Sequence, residues 1–90
     1  MISKELIVKN EKGIHARPAA LIVAKASEFQ SDIFLMNDEY NANAKSIMNV
    51  LILAAEQGST LLLKVEGSDE AEAVEAIEKL FESKFDDEKS

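Results

Sequence analysis

Gly13-Ile14-His15-Ala16-Arg17-Pro18-Ala19-Ala20-Leu21-Ile22-Val23-Ala24-Lys25-Ala26-Ser27-Glu28-Phe29 is the stretch from which the architecture of this 90-residue chain can be read outward. From Ala16 to Phe29 it is Ala-rich, and Ala19, Ile22, Val23, Ala26 and Phe29 recur at helical spacing. That pattern predicts an amphipathic helix. Pro18 falls in its first turn, where a missing N–H removes no intrahelical bond. Upstream, Asn10-Glu11-Lys12-Gly13 reads as a turn. Before it, Leu6 and Val8 alternate with Glu5, Ile7 and Lys9 in a strand over residues 3–9.

Downstream, residues 31–37 predict a second strand, with Ile33 and Leu35 on one side and Phe34 and Met36 on the other. Asn37-Asp38-Glu39 turns it into a short third strand over residues 40–43. Ser46 is placed to cap a short helix whose apolar face is Ile47, Val50, Leu51 and Ala54, with Gly58 as its stop. Leu61, Leu63 and Val65 alternate with Thr60, Leu62 and Lys64 in a fourth strand that Gly67 closes. Asp69 with Glu72 makes a near capping box, with Ser68 as a competing cap. The helix that follows buries Ala73, Val74, Ile77, Leu80 and Phe81 and turns its Glu residues to water. One domain over residues 1–85 and a frayed acidic tail over 86–90 are expected. The order β-α-β-β-α-β-α is an α+β two-layer plan.

Composition narrows the function classes. Apolar residues make up 47% and charged residues 30%, the mix of a globular domain. The absence of cysteine excludes disulfides, thiol catalysis and Cys-based metal sites, and a single histidine excludes multi-His metal sites. The longest apolar runs, residues 19–24 and 50–55, are far short of the ~20 a membrane span needs. The first residues lack the basic and apolar regions of a signal peptide. The net charge of −7 argues against general nucleic-acid binding, and all of it lies in residues 66–90, because residues 1–65 hold seven acidic and seven basic side chains.

His15 stands just before a helix start, beside backbone N–H groups with no intrahelical acceptor. The N–H groups of Ala16 and Arg17 could receive the oxygens of an anion attached to the ring. The Arg17 guanidinium could pair with a phosphoryl group arriving or leaving, and Gly13 would let a partner approach closely. An imidazole, an anion pocket and a counter-cation suit a phosphoryl acceptor. The residues alone leave a second reading open, in which His15 is a turn residue and Arg17 a solvated charge. No Ser/His/Asp arrangement or glycine-rich nucleotide loop supports a self-contained enzyme.

Gly13-Ile14-His15-Ala16-Arg17-Pro18-Ala19-Ala20 resembles the active-site signature of the HPr family, the histidine-containing phosphocarriers of the bacterial phosphotransferase system. Lys45-Ser46-Ile47-Met48, followed by Val50, resembles the same family's regulatory-serine segment. The element order, the Gly67 boundary and the final acidic helix run in the same register. The resemblance implies an open-faced β-sandwich, a four-stranded antiparallel sheet covered on one face by three helices. It implies that His15 is phosphorylated on Nδ1 by phospho-enzyme I, itself charged by phosphoenolpyruvate. The phosphoryl group then passes to an enzyme IIA domain, with Arg17 and the amides of Ala16 and Arg17 facing the phosphate. No metal or cofactor is implied, and neither nucleic-acid binding nor membrane insertion. A cytoplasmic monomer is expected, a covalent carrier rather than an enzyme with its own turnover.

Ser46 carries two readings, a helix cap and a site for an ATP-dependent HPr kinase. Ile47 and Leu51 are placed to reach the core, whereas Met48 and Ile52 face solvent. With Ala20, Leu21 and Lys45, these four residues make the candidate partner-docking patch. Met48 and Ile52 could instead cover a sheet edge. Asn49, Leu51 and Asp38 depart from common family patterns, and the 54–58 stretch with the acidic last helix resembles the nitrogen-related branch. The alternative function is therefore a nitrogen-related or Ser46-regulated protein acting mainly as a regulatory binding partner. Residues 12–27 and 40–55 together hold four basic and no acidic side chains, a cationic face on an acidic protein.

Overall fold

The computed structural model describes residues 1–85 as seven elements: β1 (Ile2–Ile7), α1 (Ala16–Ala26), β2 (Asp32–Met36), β3 (Asn41–Asn43), α2 (Ile47–Leu53), β4 (Thr60–Glu66) and α3 (Glu70–Glu82). The expected acidic tail, residues 86–90, lies outside the described residues. The strands form one antiparallel sheet in the order β1-β4-β2-β3, so the last strand in sequence lies between the first two. Alternation along the strands sends Leu6, Ile33, Leu35, Ala42, Leu61, Leu63 and Val65 to one face, where they are buried. The three helices supply the opposing layer through Ala19, Ile22, Ala26, Val50, Leu53, Ala73, Val74, Ile77 and Phe81. The other sheet face carries Ser3, Glu5 and Ile7 beside Thr60, Leu62 and Lys64, with Phe34 and Met36 next to them. This is the open-faced sandwich that the sequence resemblance implies. No helix among the described residues is long and apolar enough to cross a membrane.

The hairpin at Asn37 forms as expected. Its Oδ1 accepts from the N–H groups of Glu39 at 2.8 Å and Tyr40 at 2.7 Å, while its own N–H donates to the Tyr40 carbonyl at 3.0 Å. Four expectations need correction. Helix α1 stops at Ala26 rather than Phe29, because the N–H groups of Glu28 and Phe29 bond back only three residues, to Lys25 O and Ala26 O, and the chain turns. Helix α2 turns Val50 inward as expected but pairs it with Leu53, while Ile47, Leu51 and Ala54 stay exposed. Its stop is Ala54, in the left-handed conformation at φ 47°, and Gly58 serves the next turn. Finally, the Asp69 carboxylate does not cap α3. It accepts from Gln30 N–H at 2.9 Å, Ser31 N–H at 3.0 Å and Ser31 Oγ at 2.5 Å, tying the start of β2 to the start of α3.

Those bonds hold the Asp69 carboxyl below its ordinary value, the Ser31 hydroxyl contributing most. Glu70 is held down as well, first by the Gly67 N–H at 3.1 Å and then by the terminal ammonium at 3.2 Å. Other α3 carboxylates reach β1 and the residues after it: Glu78 pairs with Lys4 at 2.7 Å and Glu82 with Lys9 at 2.6 Å. The acidic helix is thus stitched to β1 and the residue Lys9 beyond it as well as exposed to water. Past α3, Lys84 and Phe85 both take positive φ. This bend costs about 1–2 kcal/mol per residue. It returns Phe85 to the core, fully buried and edge-on to Phe81 with ring centroids 4.9 Å apart. Burial of such a ring contributes about 1.5–3 kcal/mol, enough to offset most of the strain.

Candidate functional site

His15 is the N-cap residue of α1, extended at φ −101° and ψ −164°, and its ring makes no side-chain cap bond to the helix. The ring is therefore not spent as a cap. Ala19 N–H bonds the His15 carbonyl at 2.9 Å and opens the helical ladder. Pro18 has no N–H, so the first-turn donors outside that ladder are those of Ala16 and Arg17. Both residues are exposed and His15 is half-buried. One half-buried imidazole, two amides at the positive end of an 11-residue helix and a guanidinium two residues away share one corner of the surface. Such a corner can hold a tetrahedral anion on the ring.

The loop before His15 is anchored on both flanks by the connection between α2 and β4. Val8 exchanges bonds with that connection, its N–H donating to Ser59 O at 3.0 Å and its carbonyl accepting from Gly58 N–H at 2.8 Å. Gln57 Nε2 donates to Lys9 O at 3.1 Å, and Ile14 N–H donates to Ala55 O at 2.8 Å. Gly13, at φ +68°, is buried against this connection. A Cβ there would collide with the Ala55 carbonyl oxygen and reach the Glu56 Cα at 3.0 Å. The close approach that Gly13 permits is therefore by the chain's own backbone, not by a partner. Asn10, read from sequence as part of a turn, is wholly buried, and its Nδ2 donates to Gly13 O at 2.7 Å. The anchors Asn10, Ala55 and Gln57 escaped sequence reading because two of them lie more than 40 positions away. For Asn10, the spacing to Gly13 was the available signal.

Ser46 caps α2 as expected: its Oγ accepts from Asn49 N–H at 3.3 Å and Asn49 Nδ2 at 3.1 Å. Asn49 Oδ1 in turn accepts from Asn43 N–H at 3.2 Å. Of the patch residues, Met48 is 64% exposed, Ile52 56%, Ile47 42% and Leu51 38%, so all four face solvent, including the two expected to reach the core. Ala20 is exposed and Leu21 half-buried on α1, which packs against α2. Lys45 is otherwise occupied: its ammonium donates to Phe29 O at 2.8 Å, holding the segment after α1 to the turn before α2. Lys25 pairs with Glu28 at 3.4 Å, just outside the stretch counted as purely basic. Lys12 and Arg17 are exposed on this face.

Residues 2–83 match the family model described as "PTS HPr component phosphorylation site". The chain is 54% identical over 88 residues to the phosphocarrier protein HPr of Treponema pallidum (strain Nichols), covering 98% of this chain and all of that protein. Its fold is similar to the crystal structure of HPr-C-His from Thermoanaerobacter tengcongensis, with a TM-score of 0.93, 46% identity and coverage of 98% and 99% of the two chains. It is also similar to Crh of Bacillus subtilis, described as a swapped dimer, with a TM-score of 0.74, 39% identity and coverage of 93% and 97%.

Proposed function

Because the chain belongs to the HPr family of phosphocarrier proteins of the phosphotransferase system, we propose that His15 accepts a phosphoryl group from phospho-enzyme I and passes it to enzyme IIA in sugar uptake. The observation that carries this reading is the place of His15: N-cap of α1, its ring making no cap bond, directly before the first-turn residues Ala16 and Arg17. Nδ1 is the ring nitrogen nearer the main chain, so a phosphoryl group bonded there lies closest to the Ala16 and Arg17 amides. In the transfer, the Nδ1 lone pair forms the new P–N bond as the donor histidine's P–N bond breaks and the electron pair returns to the donor ring. The second transfer reverses these roles. Catalysis of this kind is mostly positioning and charge stabilisation, which a small surface site can supply. No substrate pocket is needed. The apolar side chains of Ile47, Met48, Leu51 and Ile52, with Ala20 and Leu21, form the docking surface, and adaptable Met and aliphatic contacts suit more than one partner.

The protein on this reading is a cytoplasmic carrier without turnover of its own. On this reading it works as a monomer, in contrast to the swapped Crh dimer, and its mass in solution by light scattering checks this. Incubation with phosphoenolpyruvate and enzyme I tests the reading. One acid-labile phosphoryl group that disappears in His15→Ala is expected, and label surviving that substitution refutes it.

A second reading concerns regulation, and the Ser46 cap favours it. Phosphate on Oγ would take the place of the present cap at the Asn49 N–H while adding charge beside Ile47 and Met48. Docking to acidic partners would weaken with the fold intact. An ATP-dependent, acid-stable phosphate lost in Ser46→Ala supports regulation by an HPr kinase. Slow transfer to sugar-type enzyme IIA with fast transfer to a nitrogen-type one would place the chain in the regulatory branch.

A further inference from the structure

The carbonyl of Gly13 is the hub of the loop that delivers His15. Two donors converge on it: the His15 N–H at 3.1 Å and Asn10 Nδ2 at 2.7 Å. The first closes a three-residue γ-turn over Ile14 (a bond from residue i to i+2), a geometry that by itself directs the peptide weakly. The second comes from a fully buried carboxamide whose own backbone carbonyl accepts from Gly13 N–H at 3.2 Å. Asn10 therefore grips both ends of the Gly13 residue, once through its main chain and once through its side chain. A turn-forming Asn gains its local bonds at the surface without desolvation, so a carboxamide buried this completely points to a demand for fixed geometry. What it fixes is the Gly13–Ile14 peptide, one residue ahead of His15.

We propose that Asn10 is a positioning residue for phosphoryl transfer at His15. Its buried carboxamide orients the Gly13 carbonyl, and through the γ-turn it sets the backbone from which the imidazole projects toward the Ala16 and Arg17 amides. The inference rests on His15 being the phosphoryl acceptor. It adds a wholly buried residue outside the Gly13–Ala20 signature. A transfer that depends on alignment loses rate when the acceptor is misdirected, whereas encounter with the donor does not.

The test is pre-steady-state transfer from phosphoenolpyruvate-charged enzyme I to the full chain. Asn10→Leu keeps the side-chain shape and removes the donor. Its maximal transfer rate should fall about 10–100-fold, with the half-saturating concentration unchanged. The amide resonances of Ile14 and His15 should shift while those of α2 stay in place. Glu78→Gln, which removes the ion pair to Lys4 away from this loop, should leave the maximal rate alone. Rates are scaled to the folded fraction read from the same spectra, and Asn10→Ala serves where Asn10→Leu does not fold. A folded Asn10 variant with the wild-type maximal rate overturns the proposal, as does a loss that shows only in the half-saturating concentration. A wild-type chain that takes no label on His15 instead overturns the acceptor reading, and the positioning role falls with it.

Discussion

Replacing Gly13 and Gly58 separately by alanine isolates the contact that seats the His15 loop. Both glycines take positive φ, +68° and +87°, so both variants meet the left-handed penalty of about 1–2 kcal/mol. Both also gain a similar few tenths to ~1 kcal/mol from a stiffer unfolded chain, which cancels in the comparison. The surroundings differ. A Cβ at Gly58 has nothing within 4 Å, whereas one at Gly13 strikes the Ala55 carbonyl oxygen and lies 3.0 Å from the Glu56 Cα. Those are backbone atoms, and Ala55 O is already engaged by Ile14 N–H at 2.8 Å, so relief requires the loop to lift away from it. Overpacking of this kind costs about 1–3 kcal/mol beyond the conformational term. Gly13→Ala should therefore be about 1–3 kcal/mol less stable than Gly58→Ala in urea unfolding. For a domain of this size each kcal/mol corresponds to a melting shift of about 4–8 °C. Phosphoryl acceptance should fall further in Gly13→Ala than its folded fraction explains. Equal stability of the two variants would refute the argument that Ala55 locks the loop.

Three further outcomes are expected. The Asp69 carboxyl is depressed below 3.8 in the folded protein, so its stabilising contribution is complete above that value and lost as pH falls through the folded pKa. Acid titration of the melting temperature should drop more steeply in wild type than in Asp69→Asn, which keeps one acceptor oxygen for three donors. Ser46→Ala should cost about 1 kcal/mol in urea unfolding through loss of the α2 cap, while Ser46→Asp should keep much of the stability and raise the half-saturating concentration for phosphoryl transfer. Ala54→Gly relieves a left-handed alanine with an exposed side chain, and its stability should be unchanged or up to ~1 kcal/mol higher by calorimetry.

Much of this architecture was legible in the residues because periodicity reports which face is wet. The alternation of Leu61, Leu63 and Val65 and the helical spacing of Ala19, Ile22 and Ala26 each named the buried side correctly. Ser46 announced its cap through chemistry that acts over three residues. The His15 corner was equally local, built from neighbours along one helix turn. Misreadings arose where distant residues compete for the same group. Asp69 sits in a near-ideal capping sequence, yet Gln30 and Ser31 claim its carboxylate from 39 and 38 positions away. The face of α2 was misassigned at Ile47 and Leu51 because six of its seven residues are apolar, and periodicity cannot choose a face when apolar side chains run nearly all round.

The local sequence therefore determined the elements, their order and the residues that could carry a phosphoryl group, since each depends on bonds within a turn or two. Tertiary structure decided how the His15 loop is set. It buried Asn10 behind the loop, pressed Gly13 onto Ala55, drew Lys45 away to Phe29 and left Ile47, Met48, Leu51 and Ile52 together at the surface. None of those outcomes follows from local preference, because each is settled by which distant backbone atom arrives within hydrogen-bonding or contact distance when the layers close.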